Sequence, residues 1–141
     1  MGSLRAKLEP EASDQAFATR CILLVLFLGT IILFAPVRGF DFINYDDNTF
    51  VYENPHIVGG LTAEGLHWAF TSADIDYWRP LSWVTHMLDV QMFGLNAGGH
   101  HLVNVLFHAL ATGVLLLFLR RMTGRLWESA VVAGLFAWHP L

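Results

Sequence analysis

Residues 21–37 read CILLVLFLGTIILFAPV, seventeen positions without a charge. A helix rises 1.5 Å per residue, so this run lies near the lower limit for crossing the ~30 Å hydrocarbon layer of a bilayer. The uncharged residues Ala16, Phe17, Ala18 and Thr19 lengthen it inward. A cleaved signal peptide is the competing reading. Its charged region would be long and would contain Glu9, Glu11 and Asp14, and FAPVRG is a poor small-residue cleavage site. The sequence therefore predicts an uncleaved spanning helix, with Pro36 close to its outer end.

The rest of the composition agrees with lipid as part of the solvent. The 141 residues are 55% hydrophobic and 14% charged, against about 25% charged in soluble domains. The net charge of −4 comes without any dense basic patch, which excludes nucleic acid as a partner. The single cysteine, Cys21, gives no disulfide framework within one chain. Residues 1–19, with Pro10 and mixed charge, read as a short disordered tail.

Downstream, residues 38–100 form a 63-residue connection with eight acidic residues and only two basic ones, Arg38 and Arg79. Its aromatic rings, among them Tyr45, Phe50, Trp68, Trp78 and Trp83, suit the headgroup level of a membrane. LTAEGLHWAF predicts a short helix with Thr62 as its cap and Glu64 in its first turn. PLSWVTHMLDVQMFG predicts a second helix, opened by Pro80 and closed by Gly94. Leu81, Val84, Met87, Leu88 and Met92 recur near the helical period. That helix is expected to lie along the membrane surface or on the protein body.

Residues 101–119, HLVNVLFHALATGVLLLFL, give a second spanning segment, and SAVVAGLFAWHPL begins a third. Thirteen residues are too few to cross, so the sequence reads as the N-terminal portion of something longer. Lys and Arg set orientation. They crowd the tail (Arg5, Lys7, Arg20) and residues 120–128 (Arg120, Arg121, Arg125), and are sparse in the long loop. The expected organisation is a cytoplasmic tail at 1–19, a first span at 20–37 and an external loop with surface helices at 38–100. A second span at 101–119, a cytoplasmic loop at 120–128 and the start of a third span at 129–141 complete it. The fold class is an all-α, multi-pass integral protein of the inner or plasma membrane.

Three groups of residues have the chemistry for a site. Asp46 and Asp47, in FINYDDNTFVYENP, stand about nine residues beyond the first span. A carboxylate there serves as general base toward a hydroxyl, or holds a divalent cation with Asn48 or Glu53, or belongs to an Asx-rich turn. Arg79, between Trp78 and Pro80, suits a phosphate by paired hydrogen bonds, or simply snorkels to lipid headgroups. His101, Asn104 and His108 share one face of the second span, and His100 precedes them. They line a substrate cavity, ligate a metal or haem, or make hydrogen-bonded helix contacts.

These motifs, read together, resemble a known family. FINYDDNTFVYENPHIVGGLT, YWRPLSWVTHMLDVQMFGLNAGGHHLVNVLFHA and RRMTGRLWESAVVAGLFAWHPL are similar to the start of bacterial multi-pass proteins with C-terminal tetratricopeptide repeats. Those proteins in turn resemble the animal transmembrane-and-tetratricopeptide O-mannosyltransferases. The likeness covers about residues 35–141. It implies the C-type glycosyltransferase fold, a many-helix bundle with a large first external loop and a polyprenyl-phosphate-linked sugar as donor. It places Asp46 and Asp47 at the position of the general base that activates a protein or glycan hydroxyl. The transfer would invert the anomeric centre with the lipid phosphate leaving. Arg79, His100, His101 and His108 become candidate substrate-binding residues, with Arg79 and His101 candidates for the leaving phosphate. No repeat is visible in these residues, and no resident metal is implied beyond a possible divalent cation. The alternative is a non-catalytic membrane anchor for an interaction repeat array.

Overall fold

The computed structural model describes residues 2–72 and 78–139, with side chains from residue 13 onward. Among these residues all regular structure is helical. Five α-helices follow one another: α1 Gly2–Phe34, α2 Ala63–Thr71, α3 Pro80–Phe93, α4 Ala97–Thr123 and α5 Leu126–Trp138. A 3₁₀ segment, Ala35–Gly39, ends α1, and a single π-turn, Asn48–Tyr52, lies in the long connection. The chain divides into two compact units. One comprises Met1–Ala35 with Val105–Leu141, the other Pro36–Asn104.

Two stretches are long and apolar enough to cross a membrane, Ser13–Gly39 and Ala97–Thr123, each lying mostly in the first unit. Helix α1 begins far upstream of the expected spanning segment. The tail read as disordered is helical from Gly2. It lacks an apolar period but contains Leu4, Ala6, Lys7, Leu8, Glu9, Glu11 and Ala12, residues with high helix propensity. Likewise the connection read at 120–128 is tighter. Helix α4 runs to Thr123, and α5 starts at Leu126. Gly124, at φ 71°, supplies the left-handed turn, and its N–H donates to the Arg120 carbonyl at 2.9 Å.

The unit packs Leu26, Leu116 and Ala133 from its three helices into a small core. Most other apolar side chains face outward, including Leu24, Ile32, Val114, Phe118 and Leu135, as expected where lipid or further helices cover the surface. Buried hydroxyls are satisfied within their own helix. Thr30 donates to the Leu26 carbonyl at 2.7 Å and Thr112 to the His108 carbonyl at 2.9 Å.

The second unit has a different kind of core. Val51, Ile57, Ala69, Trp83 and Met87 are buried, with Phe42, Phe50, Trp68, Val84 and Val90 packed around them. Helix α2 opens as expected, with the Thr62 hydroxyl accepting from Gly65 N–H at 2.9 Å and Glu64 in the first turn. Helix α3 also opens and closes at the expected residues. Of the apolar positions read from the sequence, Met87 is buried and Val84 packs on the core. Trp83, Met87 and Asp89 are buried, whereas Leu81 is 73% and Met92 68% exposed. The bulkier Trp83 takes the interior because Phe50 and Trp68 offer it ring faces, at 5.7 and 5.2 Å between centroids.

Gly94 and Gly98 make the corner between α3 and α4. Gly94 has φ 61°, which a side chain disfavours. A Cβ at Gly98 would collide with the Arg38 carbonyl oxygen. The first turn of α4 therefore rests directly against the backbone that follows α1.

Candidate functional site

Helix α3 delivers His86 and Asp89 one turn apart, and the first turn of α4 brings back His100. His100 is 2% exposed and Asp89 5% exposed. The His100 ring is fixed from two sides: its Nε2 lies 3.0 Å from the Gly94 carbonyl oxygen, and Phe42 meets it edge-on at 5.3 Å. Because a carbonyl only accepts, Nε2 carries the proton. Nδ1 then faces the Asp89 carboxylate at 3.6 Å, too long for a hydrogen bond. His86 lies nearly parallel to His100, 6.3 Å between centroids. The nearest ligand atoms of His86, Asp89 and His100 all fall within 4.8 Å of one another.

Charges converge on this cluster. Burial holds His86 below the ordinary histidine value; His100 and Arg79 push the same way, and Asp47 opposes them. Burial raises the Asp89 carboxyl, against the pull of His100. Arg79 is held by aromatic faces. Its guanidinium carbon lies 4.1 Å from the Phe50 ring centroid and 4.9 Å from that of Trp83.

The two aspartates of the opening loop are not equivalent. Asp47 is half-buried, and its Oδ2 accepts from the Ile43 N–H at 2.8 Å. It precedes the π-turn, whose residue Phe50 donates its N–H to the Asp46 carbonyl at 2.9 Å. The Asp46 side chain is exposed, and among the described residues its carboxylate makes no hydrogen bond or ion pair. A cleft of about 590 Å³, lined by residues 38–42, Tyr52 and residues 95–98, opens in the same unit, but neither aspartate lines it.

Of the residues singled out in the sequence, Asp46, Asp47, Arg79, His100 and His101 all belong to this unit. His101 is half-buried, 6.1 Å from the Phe42 ring. His100 points inward, against the Gly94 carbonyl and Phe42. His108 belongs to the other unit, where its Nε2 lies 3.1 Å from the Ala137 carbonyl. That carbonyl is among the last four of α5, which lack partners inside their helix. Phe34 and Phe136 pack on the same ring.

His86 and Asp89 were missed by the sequence reading, which treated their helix only as an apolar face. The signal was present as His-x-x-Asp on α3, followed by His100 beyond a glycine corner.

No family model matches the chain, and no solved structure matches it. Curated proteins do. Protein O-mannosyl-transferase Tmtc2 of Drosophila melanogaster is 28% identical over 158 aligned positions, covering all of this chain and 15% of the relative. Protein O-mannosyl-transferase TMTC2 of Mus musculus is 36% identical over 81 positions, covering 57% of this chain and 9% of the relative. Protein O-mannosyl-transferase Tmtc1 of Drosophila melanogaster is 29% identical over 103 positions, covering 68% of this chain and 12% of the relative. The chain thus spans a small part of the length of each of these animal proteins, and over that part it is similar to proteins named as protein O-mannosyl-transferases.

Proposed function

We propose that this chain is the N-terminal portion of a multi-pass membrane glycosyltransferase with the C-type bundle. It moves a sugar from a polyprenyl-phosphate donor to a protein or glycan hydroxyl on the extracytoplasmic side. The observation that carries this reading is the similarity of the whole chain to a protein O-mannosyl-transferase, joined to an acidic pair just beyond the first helix long enough to span. The names of the relatives make mannose the first sugar to assay.

In this reading Asp46 is the base. Its carboxylate is exposed and uncommitted, so it can take the acceptor's proton as the hydroxyl oxygen attacks the anomeric carbon and the lipid phosphate departs. Asp47, committed to the Ile43 N–H, positions the loop. Arg79, stacked on Phe50 and Trp83, meets the leaving phosphate with His101. A phosphate leaves readily, so no strong general acid is needed.

The sidedness rests on the Lys and Arg distribution. Single cysteines from Val58→Cys and Thr123→Cys, in a Cys21→Ala background, test it with an impermeant thiol reagent on intact cells. Position 58 should label and position 123 should not; the reverse pattern would refute the orientation. The function itself is tested in membranes containing the full-length protein. A polyprenyl-phosphate-linked mannose should donate, and a nucleotide-linked mannose without the lipid carrier should not. Transfer from the nucleotide sugar alone would remove the lipid-donor reading.

A further inference from the structure

We propose that His86, Asp89 and His100 bind one divalent transition-metal ion of the zinc class, tying α3 to the first turns of α4. This inference goes beyond sugar transfer and does not depend on it.

Three features of the cluster lead there. First, the Nε2 of His100 is committed to the Gly94 carbonyl. Its Nδ1 faces an Asp89 carboxylate oxygen at 3.6 Å inside the protein, beyond hydrogen-bond range. Among the described residues, that Nδ1 and the Nδ1 of His86 are buried without a hydrogen-bond partner. Buried polar atoms are almost always satisfied, and one cation between them satisfies all three side chains. Second, the spacing fits. Bonds of about 2.1 Å place ligand atoms on a tetrahedral zinc ion about 3.4 Å apart. The His100–Asp89 pair is already at 3.6 Å, and all three ligand atoms lie within 4.8 Å. Small side-chain rotations close the set. Third, the outer partners are those of a metal site. A ligating histidine characteristically donates its other ring N–H to a backbone carbonyl or carboxylate, as His100 does to Gly94.

The donor set selects the metal. Two imidazole nitrogens and one carboxylate oxygen suit zinc and its neighbours in the first transition row, whereas magnesium and calcium take oxygen ligands. The sequence supplies the geometry economically. His86 and Asp89 are one turn apart on α3, and the Gly94 corner with the close approach at Gly98 returns His100 to them.

The test uses the whole chain, purified in detergent and stripped with a chelator. Cobalt(II) is titrated while its visible d–d absorption is followed, and zinc(II) is then added in competition. The expected result is one cobalt per chain, displaced by one zinc. His86→Gln, Asp89→Asn and His100→Gln should each weaken cobalt binding by more than the roughly 10–100-fold that outer-sphere changes cost. His67→Gln, an exposed histidine of α2, should leave it unchanged. Tryptophan fluorescence checks folding. Asp89→Asn preserves side-chain size, and His86 is only half-buried, so those two variants carry the result if His100→Gln does not fold. Absence of stoichiometric cobalt and zinc binding would overturn the proposal, and would mean that a shared proton joins Asp89 to His100. Cobalt binding that survives the combined His86→Gln, Asp89→Asn variant would overturn it equally.

Discussion

The two units bury polar groups in different ways. In the unit formed by α1, α5 and the later part of α4, each buried threonine bonds back to its own helix, and His108 caps an orphan carbonyl of α5. In the unit of residues 36–104, Asn54 is likewise bonded locally, but the buried ionisable groups Asp89 of α3 and His100 of α4 face one another. His100 spends its Nε2 on the Gly94 carbonyl, but its Nδ1 and the Nδ1 of half-buried His86 have no hydrogen-bond partner among the described residues. Self-satisfaction removes a cost and needs nothing further. Mutual confrontation of titratable groups is costly unless a proton, an ion or a ligand resolves it. The first unit thus satisfies its buried threonines locally, whereas the second holds titratable side chains facing one another.

If that contrast holds, packing mutations should be felt most in the second unit. Met87 is fully buried beneath Trp83 and α2, so Met87→Ala should cost about 2–5 kcal/mol. Tryptophan fluorescence during thermal unfolding of the whole chain in detergent would register this. A loss under about 1 kcal/mol would mean that the site collapses around the cavity. Gly98→Ala tests the corner. Its Cβ would collide with the Arg38 carbonyl, and helix α4 must shift, at about 3 kcal/mol. The same melt should report it, with protease sensitivity near residue 38 as a second readout. An unchanged melting curve would show that the close approach is not required.

The first unit offers the smaller effect. His108→Leu keeps an apolar contact with Phe34 and Phe136 but strands the Ala137 carbonyl, at about 1–3 kcal/mol. A loss confined to protection of α5 in hydrogen exchange is expected. Loss of sugar transfer with stability intact would instead make His108 part of the substrate site. Smallest is Thr62→Ala, which removes the cap of α2 and should cost about 1 kcal/mol.

The helices were legible in the sequence wherever a local signal existed. Thr62, Pro80 and Gly94 mark the ends of α2 and α3 because capping and proline geometry act over a few residues. The apolar runs of α1 and α4 were legible by length alone. What stayed hidden was non-local. The inward stripe of α3 depends on which rings Phe50 and Trp68 present, and the meeting of His86, Asp89 and His100 depends on the fold of the Gly94–Gly98 corner. The inequality of Asp46 and Asp47 was hidden for the same reason, since it turns on one backbone N–H at Ile43.

The most direct test of the central claim is sugar transfer by full-length protein carrying Asp46→Asn, Asp47→Asn or both, in membranes with equal amounts of each form. Asparagine retains the shape and the turn hydrogen bonds but takes no proton from the acceptor. General-base catalysis contributes about 10²–10⁴-fold, so Asp46→Asn should lower transfer from the polyprenyl-phosphate donor by that factor. Asp47→Asn, which can still accept from Ile43 N–H, should lower it by much less. Transfer at the wild-type rate in both single variants and in the double variant would contradict the account and leave the acidic pair as a hydrated turn.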